Sequence, residues 1–184
     1  WPNFEISVNV SYLQVVDRNF FPFLEETLRR HHMPPQNLFI ELTETHFDEM
    51  PDHLQQFVQQ CKQIGVRFAL DDFGSAYSGL QMLLRYPADL IKLDRTLMQE
   101  VTSSKEKQRF IKSLVYACHQ FKRRVCMEGV ETREELDVIR KTDCDFIQGF
   151  YFYKPMSWDD LEHTLEQKAE GPGFKRKEKE VTHS

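Results

Sequence analysis

Six short apolar runs, at residues 4–10, 38–43, 66–72, 90–94, 124–129 and 145–150, are separated by longer polar stretches at 22–32, 52–63, 78–85, 105–122 and 133–141; a further polar stretch, 158–168, follows the last run. The runs have the length of strands and the stretches the length of helices. Such alternation is the βαβ pattern, in which each helix carries the chain back so that the next strand pairs parallel with the last. The runs are apolar almost throughout, as when both faces of a sheet are covered. Nothing within residues 1–168 reads as a linker, which predicts one α/β domain over 1–168 and a charged, solvated tail over 169–184.

Local signals support the boundaries. Thr132 stands before Arg133, Glu134 and Glu135, an N-cap with acids in the first turn. Ser157 does the same before Trp158, Asp159 and Asp160. Gly65 follows the Cys61–Ile64 turn, where a helix-terminating glycine belongs.

The runs end alike. The first ends near Asn9, the second carries Glu41 and Glu44, and the third ends in Asp71 and Asp72. The fourth holds Lys92 and Asp94, the fifth ends in Glu128 with Glu131 just after, and the sixth carries Gln148. One acid after one strand is usually a cap or a surface charge. Six ends in register are a site, because parallel strands bring all their C-terminal ends to one edge. A (β/α)8 barrel converges those ends on a single point, whereas an open doubly wound sheet spreads them along a line. The barrel is therefore the predicted fold.

Several function classes are excluded or weakened. The formal net charge of -5 argues against a general DNA or RNA binder. Cys61, Cys118, Cys126 and Cys144 form no CxxC pair and no zinc spacing, and read as reduced thiols of a cytoplasmic chain. His31, His32, His46, His53 and His119 show no HExxH spacing and read as surface or helix-end residues. Asp72-Phe73-Gly74 matches the kinase triad, but no HRD-like loop and no Gly-rich phosphate loop accompany it.

Hard divalent cations such as Mg²⁺ or Mn²⁺ take oxygen ligands, and Asn9, Glu41, Asp71, Asp72 and Glu128 supply them. Adjacent carboxylates at Asp71 and Asp72 repel each other unless a cation bridges them. Two metals a few ångströms apart activate water and steady the attacking and leaving oxygens of a phosphoryl group. Lys92 is placed to orient that water, or to pair with one of the acids.

The segments FEISVNVS (4–11), ELTET (41–45), LDDFGSAYSGL (70–80), IKLDR (91–95), EGVET (128–132) and QGFYFYKP (148–155) resemble the EAL-domain phosphodiesterases of bacteria. The resemblance runs in order from about residue 4 to 165. It implies a TIM-like (β/α)8 barrel that hydrolyses cyclic di-GMP to linear pGpG with two Mg²⁺ or Mn²⁺ ions. By the same resemblance Asn9, Glu41 and Asp71 hold the first metal, and Asp71, Asp72 and Glu128 hold the second. Lys92 positions the nucleophilic water, Glu131 and Gln148 support the site, and Glu44 anchors the loop after Asp72. That loop takes part in dimer contact in the family, which implies a homodimer. An upstream sensor or GGDEF-type domain, and a membrane anchor in such a domain, are compatible with it.

Two departures stand out. The Glu-Ala-Leu motif itself is absent, and six strand runs are visible where a closed barrel has eight. The expectation is that the first part of the barrel, with one carboxylate of the first metal, is missing from this chain, and that the chain alone is weakly active or inactive. The loop also carries Ala76 where the family more often has Gly. Two other readings remain open: a catalytically inactive cyclic di-GMP receptor, and a dimerising regulatory module.

Overall fold

The computed structural model describes residues 4–43, 51–74, 83 and 86–170. The chain falls into two compact units, Trp1–Phe152 and Tyr153–Ser184. The first contains β1 (Ile6–Asn9), β2 (Leu38–Thr43), β3 (Arg67–Phe73), β4 (Leu90–Leu93), β5 (Arg124–Met127) and β6 (Phe146–Ile147). They form one sheet in the order β1-β2-β3-β4-β5-β6, every neighbouring pair parallel. A doubly wound sheet reverses its strand order at a switch point. This one never reverses, so it is wound in a single direction, as in a TIM-like barrel. The predicted α/β barrel class holds, with six strands of such a barrel among the described residues.

The connecting helices are α1 (Tyr12–Val16), α2 (Phe20–Arg30), α3 (Pro51–Ile64), α4 (Lys105–Gln120) and α5 (Arg133–Ile139). Four of them match predicted stretches. The short α1 is an addition to that pattern, although Ser11 and Gln14 form a capping box that the sequence displays. Thr132 and Glu135 close the expected box at α5. Gly65, at φ 97°, ends α3, with the Val66 N–H donating back to the Cys61 carbonyl. The predicted helix at 78–85 and the loop with Ala76 lie outside the described residues, as does the tail beyond 170. In the second unit, α6 (Trp158–Glu170) starts at Ser157, whose Oγ accepts from the Asp160 N–H at 3.2 Å. No helix among the described residues is long and apolar enough to cross a membrane.

The strand register separates two faces. Ile40, Leu42, Leu70, Ile91, Leu93, Val125 and Met127 point one way and are at most 2% exposed, packed with the helices. Burying each side chain of this size contributes about 1.5–3 kcal/mol. The other face is layered. Its middle is apolar, with Phe39, Ala69, Leu90 and Cys126 buried beside Phe146. Toward the strand N-termini, Arg67 and Arg124 pair with Glu5 at 2.7 and 3.6 Å, and their guanidiniums lie 4.2 and 5.2 Å from the Phe39 ring centre. The carboxylates occupy the layer at the C-terminal ends.

One clamp is used twice. Asp89, just before β4, accepts the Phe68 N–H at 2.9 Å and pairs with Lys62 in the last turn of α3 at 3.5 Å. Asp145, just before β6, accepts the Val125 N–H at 2.8 Å and pairs with His119 in the last turn of α4 at 2.8 Å. Each clamp ties a helix end to two adjacent strands, which fixes their relative register.

Candidate metal centre at the strand ends

Lys92 is the hub. Its residue is 6% exposed, and its Nζ donates to Glu41 Oε2 at 2.8 Å. The same ammonium lies 2.9 Å from Asp71 Oδ1 and 2.8 Å from Glu128 Oε1. Four strands, β2 to β5, thus meet at one cation. Parallel register explains why. Glu41, Asp71 and Lys92 all fall on the inner-face parity of their strands, and Glu128 follows β5 with its N–H bonded to the Leu93 carbonyl at 3.1 Å.

Asp72 poses a geometric problem. Successive side chains of a strand point to opposite faces, so Asp71 and Asp72 should be on opposite sides of the sheet. The pairing with β4 resolves it. The register runs Ala69↔Leu90 and Leu70↔Ile91, then jumps to Phe73↔Leu93, so β3 gains one residue on β4. Asp72 takes the left-handed conformation, φ 55°, at this bulge. Phe73 returns to the helix-facing side, where it is 2% exposed in the apolar core. As a result Asp71, Asp72 and Glu128 each bring a carboxylate oxygen within 4.8 Å of the other two. A left-handed non-glycine residue costs on the order of 1 kcal/mol, and here it places a second carboxylate in the site.

Crowding of negative charge shows in the proton affinities. The Glu128 carboxyl is raised above the ordinary range by burial, with Asp71 and Glu41 adding to the effect and Lys92 opposing it. Asp72 is raised by desolvation, then by the neighbouring charges of Asp71 and Asp94. For Lys92, burial alone would favour the neutral amine. Contact with the carboxylates of Glu128, Glu41 and Asp71 outweighs this, and the group is held more firmly charged than a free lysine. Beneath the layer, burial pushes the Cys126 thiol up to about 12, so it is inert as a nucleophile.

The residues fit a hard divalent cation. Asp71 Oδ1 is a buried oxygen that meets Lys92 as an ion pair yet has no aligned hydrogen-bond donor. Together with Asp72 and Glu128 it forms an all-oxygen donor set.

The other predicted residues are less gathered. Asn9 stands beside Glu41 in Cα register at the end of β1. Gln148 follows β6, and its N–H donates to the Met127 carbonyl at 2.8 Å. The Glu131 N–H donates to Glu135 Oε2 at 2.8 Å as part of the α5 cap. Among the described residues, no hydrogen bond or ion pair joins the side chains of Asn9, Glu131 or Gln148 to the carboxylates. Glu44 lies outside the described residues. Asp94 belongs to the strand-end pattern, whereas Gly149 is not marked by it. Asp94 accepts from the Thr96 N–H at 2.8 Å and caps the short turn Arg95–Met98 that follows β4. Gly149 allows a close approach: a Cβ there would lie 2.0 Å from the Val130 carbonyl oxygen. Paired EGV and QGF segments at successive strand ends are the signal for it.

Comparison with known proteins adds four matches. A family model described as EAL domain matches residues 2–155. Cyclic di-GMP phosphodiesterase PdeR of Escherichia coli strain K12 is 32% identical over 154 residues, covering 84% of this chain and 23% of PdeR. Among solved structures, the EAL enzyme Bd1971 with cAMP and cyclic di-GMP bound superposes with a TM-score of 0.82 at 28% identity, over 89% of this chain and 43% of that one. A manganese and cyclic di-GMP complex of Klebsiella pneumoniae BlrP1 gives 0.76 at 29% identity, over 81% and 38% of the two chains. The chain spans about a fifth of the length of the curated relatives it matches.

Proposed function

The chain belongs to the EAL-domain family, and from that premise we propose that it hydrolyses cyclic di-GMP to linear pGpG at the strand-end carboxylates, with two Mg²⁺ or Mn²⁺ ions. The observation that carries the proposal is the bulge in β3, which turns adjacent Asp71 and Asp72 toward Glu128. A structural ion-pair network has no use for a second carboxylate held at a left-handed residue. A pair of cations does.

Charge supports the same reading. Glu41, Asp71, Asp72 and Glu128 against Lys92 leave a net charge of about −3. That repels a phosphodiester, while two divalent cations reverse the sign and attract one. In this reading Asn9, Glu41 and Asp71 hold the first ion, and Asp71, Asp72 and Glu128 hold the second. When bound, the ions would make water more acidic and neutralise charge on the phosphoryl oxygens. Lys92 is the cation placed to orient the attacking water; in the metal-free site its ammonium is engaged by Glu41, Asp71 and Glu128. Glu131 and Gln148 support the rim, and Glu44 anchors the following loop. Homodimerisation and control by sensor or GGDEF-type domains are proposed partners.

The test is turnover of cyclic di-GMP to pGpG in Mn²⁺ by the intact parent protein that carries this domain. Asp71→Asn is expected to abolish it, and turnover unchanged in that variant would sink the mechanism.

A further inference from the structure

The outer surface carries a basic cleft remote in sequence from the strand-end acids. On α4, Lys105, Gln108, Arg109 and Lys112 recur at i, i+3, i+4 and i+7, and so share one face. The opposite positions Ile111, Leu114, Val115 and Cys118 are buried in the core. Across a gap, Val138 at the end of α5 and Lys141 and Thr142 in the next turn complete a cleft of about 340 Å³. Among the described residues, no carboxylate lines it. Thr142, 3% exposed, lies at its floor, with its hydroxyl donating to the Ile139 carbonyl at 2.7 Å.

Some cations elsewhere are paired and others, such as Arg18, Arg95, Lys122 and Lys154, have no ion pair among the described residues; what marks this cleft is that four cations share one concavity. Arg29, Arg30, Lys62, Arg67, Lys92, Arg124 and Arg133 all have carboxylate partners. Lys105, Arg109, Lys112 and Lys141 have none among the described residues; Lys105 Nζ reaches only Gln108 Oε1, at 3.5 Å. In a chain of net charge -5, four cations gathered around one concavity with no carboxylate in its lining make a local positive field. The N-terminal end of the 16-residue α4 adds its positive dipole end to the same field.

We infer that this cleft binds a polyphosphate-bearing small molecule with the charge of a nucleoside triphosphate. The volume falls at the lower end of small-molecule sites. Lys105 and Lys112 are about 10 Å apart along the helix, at about 1.5 Å per residue, so a lone phosphate reaches only part of the set and a phosphate chain spans it. The side chain of Val138 offers an apolar edge at one side of the cleft. The inference does not rest on the proposed hydrolysis, since none of these residues belongs to the strand-end site.

The experiment is calorimetric titration of the full chain, in EDTA, with inorganic triphosphate and with ATP. Both are expected to bind wild type. Lys112→Ala with Lys141→Ala is expected to weaken each by about tenfold or more with unchanged melting temperature, since both side chains are exposed, while Glu128→Gln binds as wild type does. ATP tighter than triphosphate identifies a nucleotide site, and equal affinity identifies a site for the phosphate chain alone; either supports the inference. No heat from either probe at about 1 mM overturns it. So does binding that survives the double substitution, or an acidic peptide such as oligoglutamate binding as tightly as triphosphate.

Discussion

Replacing Lys92 with Met is the most informative perturbation of the strand-end site. In the absence of metal it removes the ammonium that three carboxylates share at 2.8–2.9 Å. At an effective dielectric near 20, each such contact is worth about 6 kcal/mol of attraction. The gross sum is offset by the cost of desolvating four charges and by repulsion among the acids. Breaking a buried ion pair at one end costs about 3–5 kcal/mol, and that is the expected loss of stability in EDTA. The side chains are only 7–16% exposed, so solvent screening reduces the figure little. A divalent cation does part of the ammonium's work. In saturating Mn²⁺ the loss should shrink by about 2 kcal/mol or more, because the variant presents the ion with a more negative site. Lys92→Arg, which keeps the charge, should lose less than Lys92→Met in EDTA. Urea unfolding of wild type and variants, with and without Mn²⁺, reads all of this. A loss below about 1 kcal/mol in EDTA, or an equal loss with and without metal, would refute the reasoning.

The same geometry bears on three further substitutions. Asp72→Gly removes a side chain from a left-handed residue and relieves charge crowding; it should stabilise the metal-free protein by about 1 kcal/mol while weakening Mn²⁺ binding, and destabilisation in EDTA would contradict the bulge. Gly149→Ala drives a Cβ against the Val130 backbone, and should cost about 1–3 kcal/mol and lower Mn²⁺ affinity by moving the end of β5; a melting temperature equal to wild type would count against this. Burial raises the folded-state carboxyl of Glu128, so its contribution to stability is present below the ordinary carboxylate value of about 4 and is lost as pH climbs through the raised value. Wild type minus Glu128→Gln stability in EDTA should therefore fall from acid toward neutral pH, with the trend cancelled by Mg²⁺, and parallel pH profiles for the two proteins would exclude the shift.

Much of this architecture is legible in the amino-acid sequence. Six apolar runs with acids at one end can satisfy both faces and one edge only as a parallel sheet, and strand parity puts Glu41, Asp71 and Lys92 on one side of it. Other features depend on more than local pattern. The sequence shows Asp71 and Asp72 side by side, but not that the β3–β4 ladder slips to let both face inward. It suggests that Lys92 pairs with one acid; that it serves three depends on the stagger between strands, which no single segment encodes. The double use of the Asp clamp is hidden because its second partner is His119 where the first is Lys62. Helix α1 escapes sequence reading for a different reason: five residues carry too little periodicity, and only the Ser11–Gln14 box marks them.

The slip in β3 also changes what counts as a damaging lesion. A strand works like a two-phase code, and Asp72 is the inserted character that shifts the phase for one step and then restores it at Phe73. Deleting any one residue between Leu70 and Phe73 would restore a regular ladder and leave only one carboxylate inside. An Asp72 deletion and an Asp71 deletion would yield the same sequence and the same one-carboxylate site. A natural variant of that kind would keep every other acid of the site and most of its fold. It would still read as a member of the family, and it would have lost the one place where two charges share a side.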